Sequence, residues 1–419
     1  MLTETVGSKE VLNQALNLLE KSVAHGVFVA SPQKVGNYHR LWARDGMICG
    51  LAALALKRED LVQAFGLSLK TLLDGRGPQG QIPSNVELVS EGSIGSVSLG
   101  TLAGRVDANT WFVIGAFHYL EAFPNSPLRE DLYQACARIF SLLNAWEYNS
   151  RGLIYTPEGG TWADDYILGG YTFYDQVLRL WAEKLALQNQ GFLSSPSGGD
   201  ALHWIWPTEK RAEFLRLNFW PVPETKGQAY HPLAQEKYLQ DQRKKSGSLE
   251  RAQHFLQALK PSGYQPGFDT FAHSLALALG LATEDQKSSV FQVAQSTGHS
   301  LMMPAFWPTI AMDSPQGQEL EQMASLAFKN RPDEYHNGGI WPMINGWWGI
   351  GLWEGGQKTW AQSLLTEMDQ ALMRSQSPSF PEYFQAQSFE AMGTGECTWG
   401  AAAYILLTQH MKGLSGLKL

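Results

Sequence analysis

The chain has 419 residues and a formal net charge of −8, a balance that argues against a nucleic-acid partner, which would call for a basic face. No run of about 18 apolar residues suggests a membrane span, and Met1–Gly7 lacks the basic and apolar regions of a signal peptide. Cys49, Cys136 and Cys397 have neither metal nor redox spacing, so no metal site is expected and a reducing cytoplasm is the expected home.

Helical periodicity dominates from the N-terminus onward. Amphipathic or apolar runs predict helices over Lys9–Ala24, Asp45–Leu56, Glu59–Leu73, Ala108–Ala122, Leu128–Trp146 and Tyr171–Leu187. Further helices are expected over Thr208–Leu217, Leu249–Leu259, Asp269–Ala282, Glu284–Ser296, Gln318–Phe328, Gly338–Leu352, Gln357–Met373 and Thr398–Met411. Strand-like runs are few: Gly26–Val29 with its flank, and Gly152–Tyr155. Gln188–Asp200 reads as a loop, and the basic run Lys237 to Lys245 as a solvated helix face or loop.

No low-complexity linker divides the chain, and no sequence repeat of fixed period appears. About twelve antiparallel helices in one domain over residues 1–419 fit an all-α (α/α)6 barrel, a six-hairpin toroid with few short strands and a loop-rich excursion around 188–265. In such a toroid the loops at one end form the site. An α-solenoid is the alternative, but the missing repeat counts against it.

Fifteen tryptophans are many for this length, and several fall beside polar groups. The clearest case is Gly160-Thr161-Trp162-Ala163-Asp164-Asp165-Tyr166, an acidic pair among aromatics. Phe380-Pro381-Glu382-Tyr383-Phe384 sets a second carboxylate in similar company, 382 − 164 = 218 positions away. Two separated carboxyls among aromatics suit glycoside hydrolysis, where one protonates the leaving oxygen and the other handles water or the anomeric carbon. Aromatic faces also stack on sugar rings. Simpler readings exist: Asp164 as a helix cap, Glu382 as a surface residue beside a core tyrosine.

Three further segments share the pattern of a charged or amide residue amid aromatics at a helix end. They are Trp42-Ala43-Arg44-Asp45, Gly104–Phe112 around Asp107, and Tyr335-His336-Asn337-Gly338-Gly339-Ile340-Trp341-Pro342. Here too simpler readings exist. Arg44 and Asp45 could form a local ion pair, Asp107 could cap the helix starting at Ala108, and His336 and Asn337 could close a turn.

In order and wording these segments resemble the inverting α-glucosidases built on (α/α)6 barrels. The α-1,6-glucosidase part of glycogen debranching enzymes is similar at Trp42–Asp45, Gly80–Pro83, Val106–Phe112, Thr161–Asp164 and Tyr335–Pro342. The alkaline and neutral invertases are similar at Arg44-Asp45, Gly104–Asp107, Asp175, Tyr335–Pro342 and Pro381–Tyr383, and at Gly263-Tyr264 leading into Phe268–Phe271. Two departures bear on sucrose specificity. The invertases carry two arginines where this chain has Asp165-Tyr166, and Glu where Asp175 stands; the Asp-Asp-Tyr wording resembles the processing α-glucosidases instead.

The resemblance implies an inverting, exo-acting hydrolase that releases glucose from a small α-glucoside or an α-glucan end, without cofactor or metal. It implies Asp164 as general acid and Glu382 as general base. Trp42, Arg44, Asp45, Asp107, Trp162, Asp175, Gln176, His336, Asn337, Trp341 and Tyr383 would contact the sugar. A sugar epimerase on the same barrel, or a non-catalytic sugar-binding protein, is the other expectation. The first would need paired histidines for proton abstraction; the second would predict loss of one carboxylate.

Overall fold

A computed structural model describes residues 7–101, 103–225, 229–247, 250–298, 300–323, 327–374 and 380–419. Its helices are α1 (Lys9–Lys21), α2 (Ala43–Leu56), α3 (Glu59–Asp74), α4 (Asp107–Ala122), α5 (Arg129–Ala145), α6 (Phe173–Gln188), α7 (Gln190–Leu193) and α8 (Pro196–Ala201). There follow α9 (Thr208–Phe219), α10 (Pro232–Ser246), α11 (Thr270–Ala278), α12 (Glu284–Ser296), α13 (Pro315–Gln322), α14 (Pro342–Glu354), α15 (Lys358–Arg374) and α16 (Thr398–Met411).

Six of these are buried on nearly every face: α2, α4, α6, α11, α14 and α16. A helix apolar all round belongs inside a protein. They pack in a closed ring, α2 on α4, α4 on α6, α6 on α11, α11 on α14, α14 on α16, and α16 back on α2. Close approach relies on small residues: a side chain at Gly346 of α14 would strike the Ala403 backbone of α16. The helices α1, α3, α5, α9, α12 and α15 alternate with the inner six along the chain, bury one face only, and complete an (α/α)6 barrel. The barrel axis is filled by Trp111, Trp181 and Trp347, whose ring centres lie 5.8–5.9 Å apart.

The two ends of the barrel differ. Inner helices pass to outer ones mostly by short turns, as at residues 57–58 and 355–357, with α6 to α9 the longer exception that holds α7 and α8, whereas outer helices return to inner ones through long loops such as 75–106, 146–172 and 297–341. The β structure lies in these long loops. Leu41–Trp42 pairs with Asn85–Ser90 and that with Ser93–Ser98; Tyr171–Thr172 pairs with Ala258–Lys260 and that with Gly263–Gln265. Two-stranded pairs join Phe268–Asp269 to Phe306–Trp307 and Tyr383–Phe384 to Ala391–Met392, all antiparallel. Every inner helix therefore starts at the long-loop end.

Several local expectations change. Of Leu249–Leu259, the described part is no helix but an extended segment ending in the Ala258–Lys260 strand, because it completes a sheet with Tyr171–Thr172. Gly152–Tyr155 forms no strand. The loop expected at Gln188–Asp200 holds α7 and α8, each capped by a side chain, Asn189 and Ser195. The helix expected over Gln318–Phe328 runs instead over Pro315–Gln322, and residues 324–326 lie outside the described ones. The basic run is the C-terminal part of α10. Among the described residues no helix is long and apolar enough to cross a membrane.

Candidate active site

The six inner helices aim their N-termini, the positive ends of their dipoles, at the long-loop end. There a cavity of about 760 Å3 opens, and Trp42, Arg44, Asp45, Trp162, Asp164, His336, Trp341 and Glu382 all line it. The segments that carry them lie far apart in sequence; Trp42, Arg44, Asp45, Trp341 and Glu382 begin or immediately precede an inner helix or a loop strand, whereas Trp162 and Asp164 lie on the long loop before α6.

Glu382 is buried, directly before the Tyr383–Phe384 strand. Its Oε1 accepts the Tyr38 hydroxyl at 2.5 Å, and its Oε2 accepts the Thr394 backbone N–H at 3.0 Å. Burial raises its pKa above the ordinary range, while the Tyr38 and Thr394 hydrogen bonds pull it back down. Both oxygens act as acceptors, which suits the ionised form. Gly393 follows in the left-handed region at φ 73, and a Cβ there would collide with the Glu382 carboxyl. Only glycine fits this position.

Asp164 stands on the loop after Gly159-Gly160. Arg105 reaches across from the loop before α4 and donates to Asp164 Oδ2 at 2.9 Å and to the Gly159 carbonyl. That leaves Oδ1 as the oxygen of Asp164 not engaged by Arg105. Asp165 also lines the cavity; burial raises its pKa and the neighbouring Asp164 adds to the rise. Asn330 donates to the Asp165 carbonyl at 2.5 Å, tying this loop to the one that carries His336.

The wall is aromatic. Trp341 stacks on His336, with ring centres 5.4 Å apart and planes 8° apart, and Trp162 meets His336 edge-on at 5.2 Å. Burial drives His336 well below its ordinary pKa, helped by the nearby cations Lys329, Arg44 and Arg105, so its ring is neutral. Arg44 lies over Trp399 at 5.1 Å and donates to Asp107 Oδ2 at 2.5 Å. Asp45 presents a buried carboxyl pushed up to about 7 by desolvation, against the pull of Arg44.

Five residues expected to touch the sugar do not line this cavity. Asp107, the first residue of α4, makes no cap bond and instead anchors Arg44, with Tyr174 donating to it at 3.3 Å. This also corrects the local Arg44–Asp45 pair, because the partner of Arg44 comes from the next inner helix. Asp175 is fully buried, takes hydrogen bonds from Thr156 and Thr172, and is pushed up to about 8, chiefly by desolvation. Gln176 exchanges two hydrogen bonds with the Ile154 backbone, and Asn337 does the same with Ile310. Tyr383 stacks behind Trp341 at 5.8 Å. These five hold the wall in place.

Other residues at the cavity escaped the sequence reading: Tyr38, Arg105, Lys329, Tyr335 and Trp399. Arg105 and Tyr335 lay inside marked segments. Trp399 in Thr398-Trp399-Gly400 had a readable signal, an aromatic at a helix start; Tyr38 and Lys329 had none. Among the described lining residues His336 is the one histidine, and no group of three or more His, Cys, Asp or Glu that could hold a metal was found among the described residues.

The sequence model of the alkaline and neutral invertase family matches residues 248–413, a span that includes His336, Trp341 and Glu382 but not Asp164. Alkaline/neutral invertase E, chloroplastic, of Arabidopsis thaliana is 21% identical over 454 aligned residues, covering 96% of this chain and 72% of the relative. Among solved structures, the mannosylglycerate hydrolase of Thermus thermophilus in complex with glucose superposes with a TM-score of 0.61 at 14% identity, covering 94% of this chain and 99% of that one. A bacterial glucoamylase complexed with acarbose gives 0.60 at 12% identity; it covers 97% of this chain, which spans 56% of the glucoamylase. The chain is thus similar in sequence to the alkaline and neutral invertases, and its fold is the (α/α)6 barrel that those glycosidase structures share.

Proposed function

We propose that the chain is an inverting, exo-acting glycoside hydrolase that releases glucose from a small α-glucoside or the end of an α-glucan. The observation that carries this reading is that Asp164 and Glu382 line one cavity together with Trp42, Trp162 and Trp341. Asp164, acting through the oxygen that Arg105 leaves open, donates the proton to the glycosidic oxygen as the bond from C1 to that oxygen breaks. Glu382 takes a proton from a water whose oxygen bonds to C1 from the opposite face. The products are the free alcohol and β-glucose, and no further reactant is needed.

The rest of the cavity fits these roles. The stacked Trp341–His336 pair and Trp162 supply apolar faces for a pyranose ring, while Arg44 and Asp45 supply polar groups for its hydroxyls. A neutral His336 is suited to hydrogen bonding rather than charge. The single histidine among the described lining residues gives no support to an epimerase.

A panel of sucrose, trehalose, isomaltose, maltose, panose, glucosylglycerate and mannosylglycerate, followed by NMR of the released sugar, tests the reading and selects the aglycone. Activity on none of them, with clean binding of one, would favour a sugar-binding protein.

A further inference from the structure

A second cavity, of about 220 Å3, lies on the other side of Arg105, which walls both it and the larger pocket. Gln81, Trp146, Tyr148, Tyr155 and Pro157 also line it. Tyr148 is 75% exposed and stands at φ 60, in the left-handed region that bulky side chains avoid. Ser150 at φ 53 and Gly152 at φ 99 continue this uncommon turn.

An unusual foundation holds the turn. The Gly152 N–H donates to Glu147 Oε2 and the Gly152 carbonyl accepts from Arg211, each at 2.6 Å. Glu147 pairs with Arg179 at 2.5 Å, and Arg179 and Arg211 both pair with Glu183, at 2.9 and 2.8 Å. All four charged side chains are buried. Apolar packing stabilises an interior at least as well as a buried ion network does, so such a network is better understood as fixing a geometry. The geometry fixed here is that of the turn that presents Tyr148, edge-on to Tyr155 at 6.1 Å and two residues from Trp146.

We propose that this cavity is a second saccharide site, which takes one pyranose ring against Tyr148 and Tyr155. It is distinct from the pocket that holds Asp164 and Glu382, and the inference does not depend on the reaction assigned to that pocket. Three aromatic side chains around a small cavity give flat apolar faces to the C–H face of a sugar, and the two phenols and the Gln81 amide give its hydroxyls partners. The volume admits a single ring rather than a chain. Because Arg105 forms one wall and also holds Asp164, an occupant lies one side chain away from the acid.

Calorimetric titration of the Glu382→Gln protein with glucose and with maltose tests this without interference from turnover. Tyr148→Gly in that background should weaken one binding event by about fivefold or more, the worth of one stacked ring and its phenol, and Tyr148→Phe, which keeps the ring and loses only the hydroxyl, should weaken it less than Tyr148→Gly. Glycine suits φ 60 better than tyrosine, so the melting temperature of Tyr148→Gly should not fall. A Tyr148-dependent event with no second one would keep this site and discredit the catalytic pocket. Sugar binding unaltered by Tyr148→Gly, or a lowered melting temperature showing that Tyr148 serves packing, would overturn the proposal.

Discussion

Glu382 and Asp164 differ in their surroundings, and the difference has kinetic consequences. As the proposed base, Glu382 must be ionised to accept a proton from water, and its burial raises its pKa. Activity should therefore be present at higher pH and be lost, as pH falls, at a higher pH than an ordinary glutamate (about 4.3) would give. Tyr38→Phe removes a hydrogen bond that lowers this pKa, so the acid limb of kcat/KM against pH should move further up; an unmoved limb would detach Tyr38 from the base. Asp164→Asn and Glu382→Gln should each lower kcat by about 10²-fold or more in steady-state assays, with Asp165→Asn costing less. Equal losses at Asp164 and Asp165 would leave the acid unassigned between them. The marked segments made both carboxyls visible in the sequence. The partners Tyr38, Thr394 and Arg105 were not visible, since hydrogen bonds across 344, 12 and 59 positions leave no local pattern.

At the scale of elements, the inner helices were legible from their helical periodicity. Their ends were less so, since tertiary contacts decide them. Asp107 looked like a cap, yet α4 starts on it and its carboxylate is drawn to Arg44. The apolar run Phe255-Leu256-Gln257-Ala258-Leu259 fits helix and strand alike, and pairing with Tyr171–Thr172 settles it as extended. The hairpin Asn85–Ser98 did carry a signal, alternating Val-Glu-Leu-Val about a turn with Gly92 at φ 69. Ser195-Pro196 likewise announced α8, with proline in its first turn. Two substitutions probe single elements. Gly393→Ala should reduce kcat by displacing Glu382 while the circular dichroism spectrum stays unchanged. Thr283→Ala, which breaks the capping box of α12, should cost about 1 kcal/mol in denaturant unfolding and leave activity alone.

The molecule as a whole holds buried carboxyls that resist ionisation: Asp45 and Asp269 near 7 and Asp175 near 8, each through desolvation first. In the unfolded chain such groups lose their protons near pH 4. The folded state thus binds more protons above that pH, and stability declines as pH rises through the folded values. Buried His118, His254, His273 and His336 act the other way, since burial lowers their pKa and stability is lost as pH falls below about 6.5. From about pH 6.5 to 8 the carboxyls act alone, so the melting temperature should fall across that window. Asp175→Asn should flatten the fall, and a melting temperature that rises there would contradict these burial assignments. The ring of six inner helices was expected from the count and alternation of hairpins. Its asymmetry, with long loops gathered at one end, is what brings residues 218 positions apart to one pocket.

If Asp164 and Glu382 act on opposite faces of one sugar, hydrolysis inverts C1, and the anomer formed at the instant of hydrolysis tests this most directly. Proton NMR of the first product from a cleaved α-glucoside, read before mutarotation, should show β-glucose. α-Glucose as the first product would mean retention, and Glu382 could not then be the base that activates water.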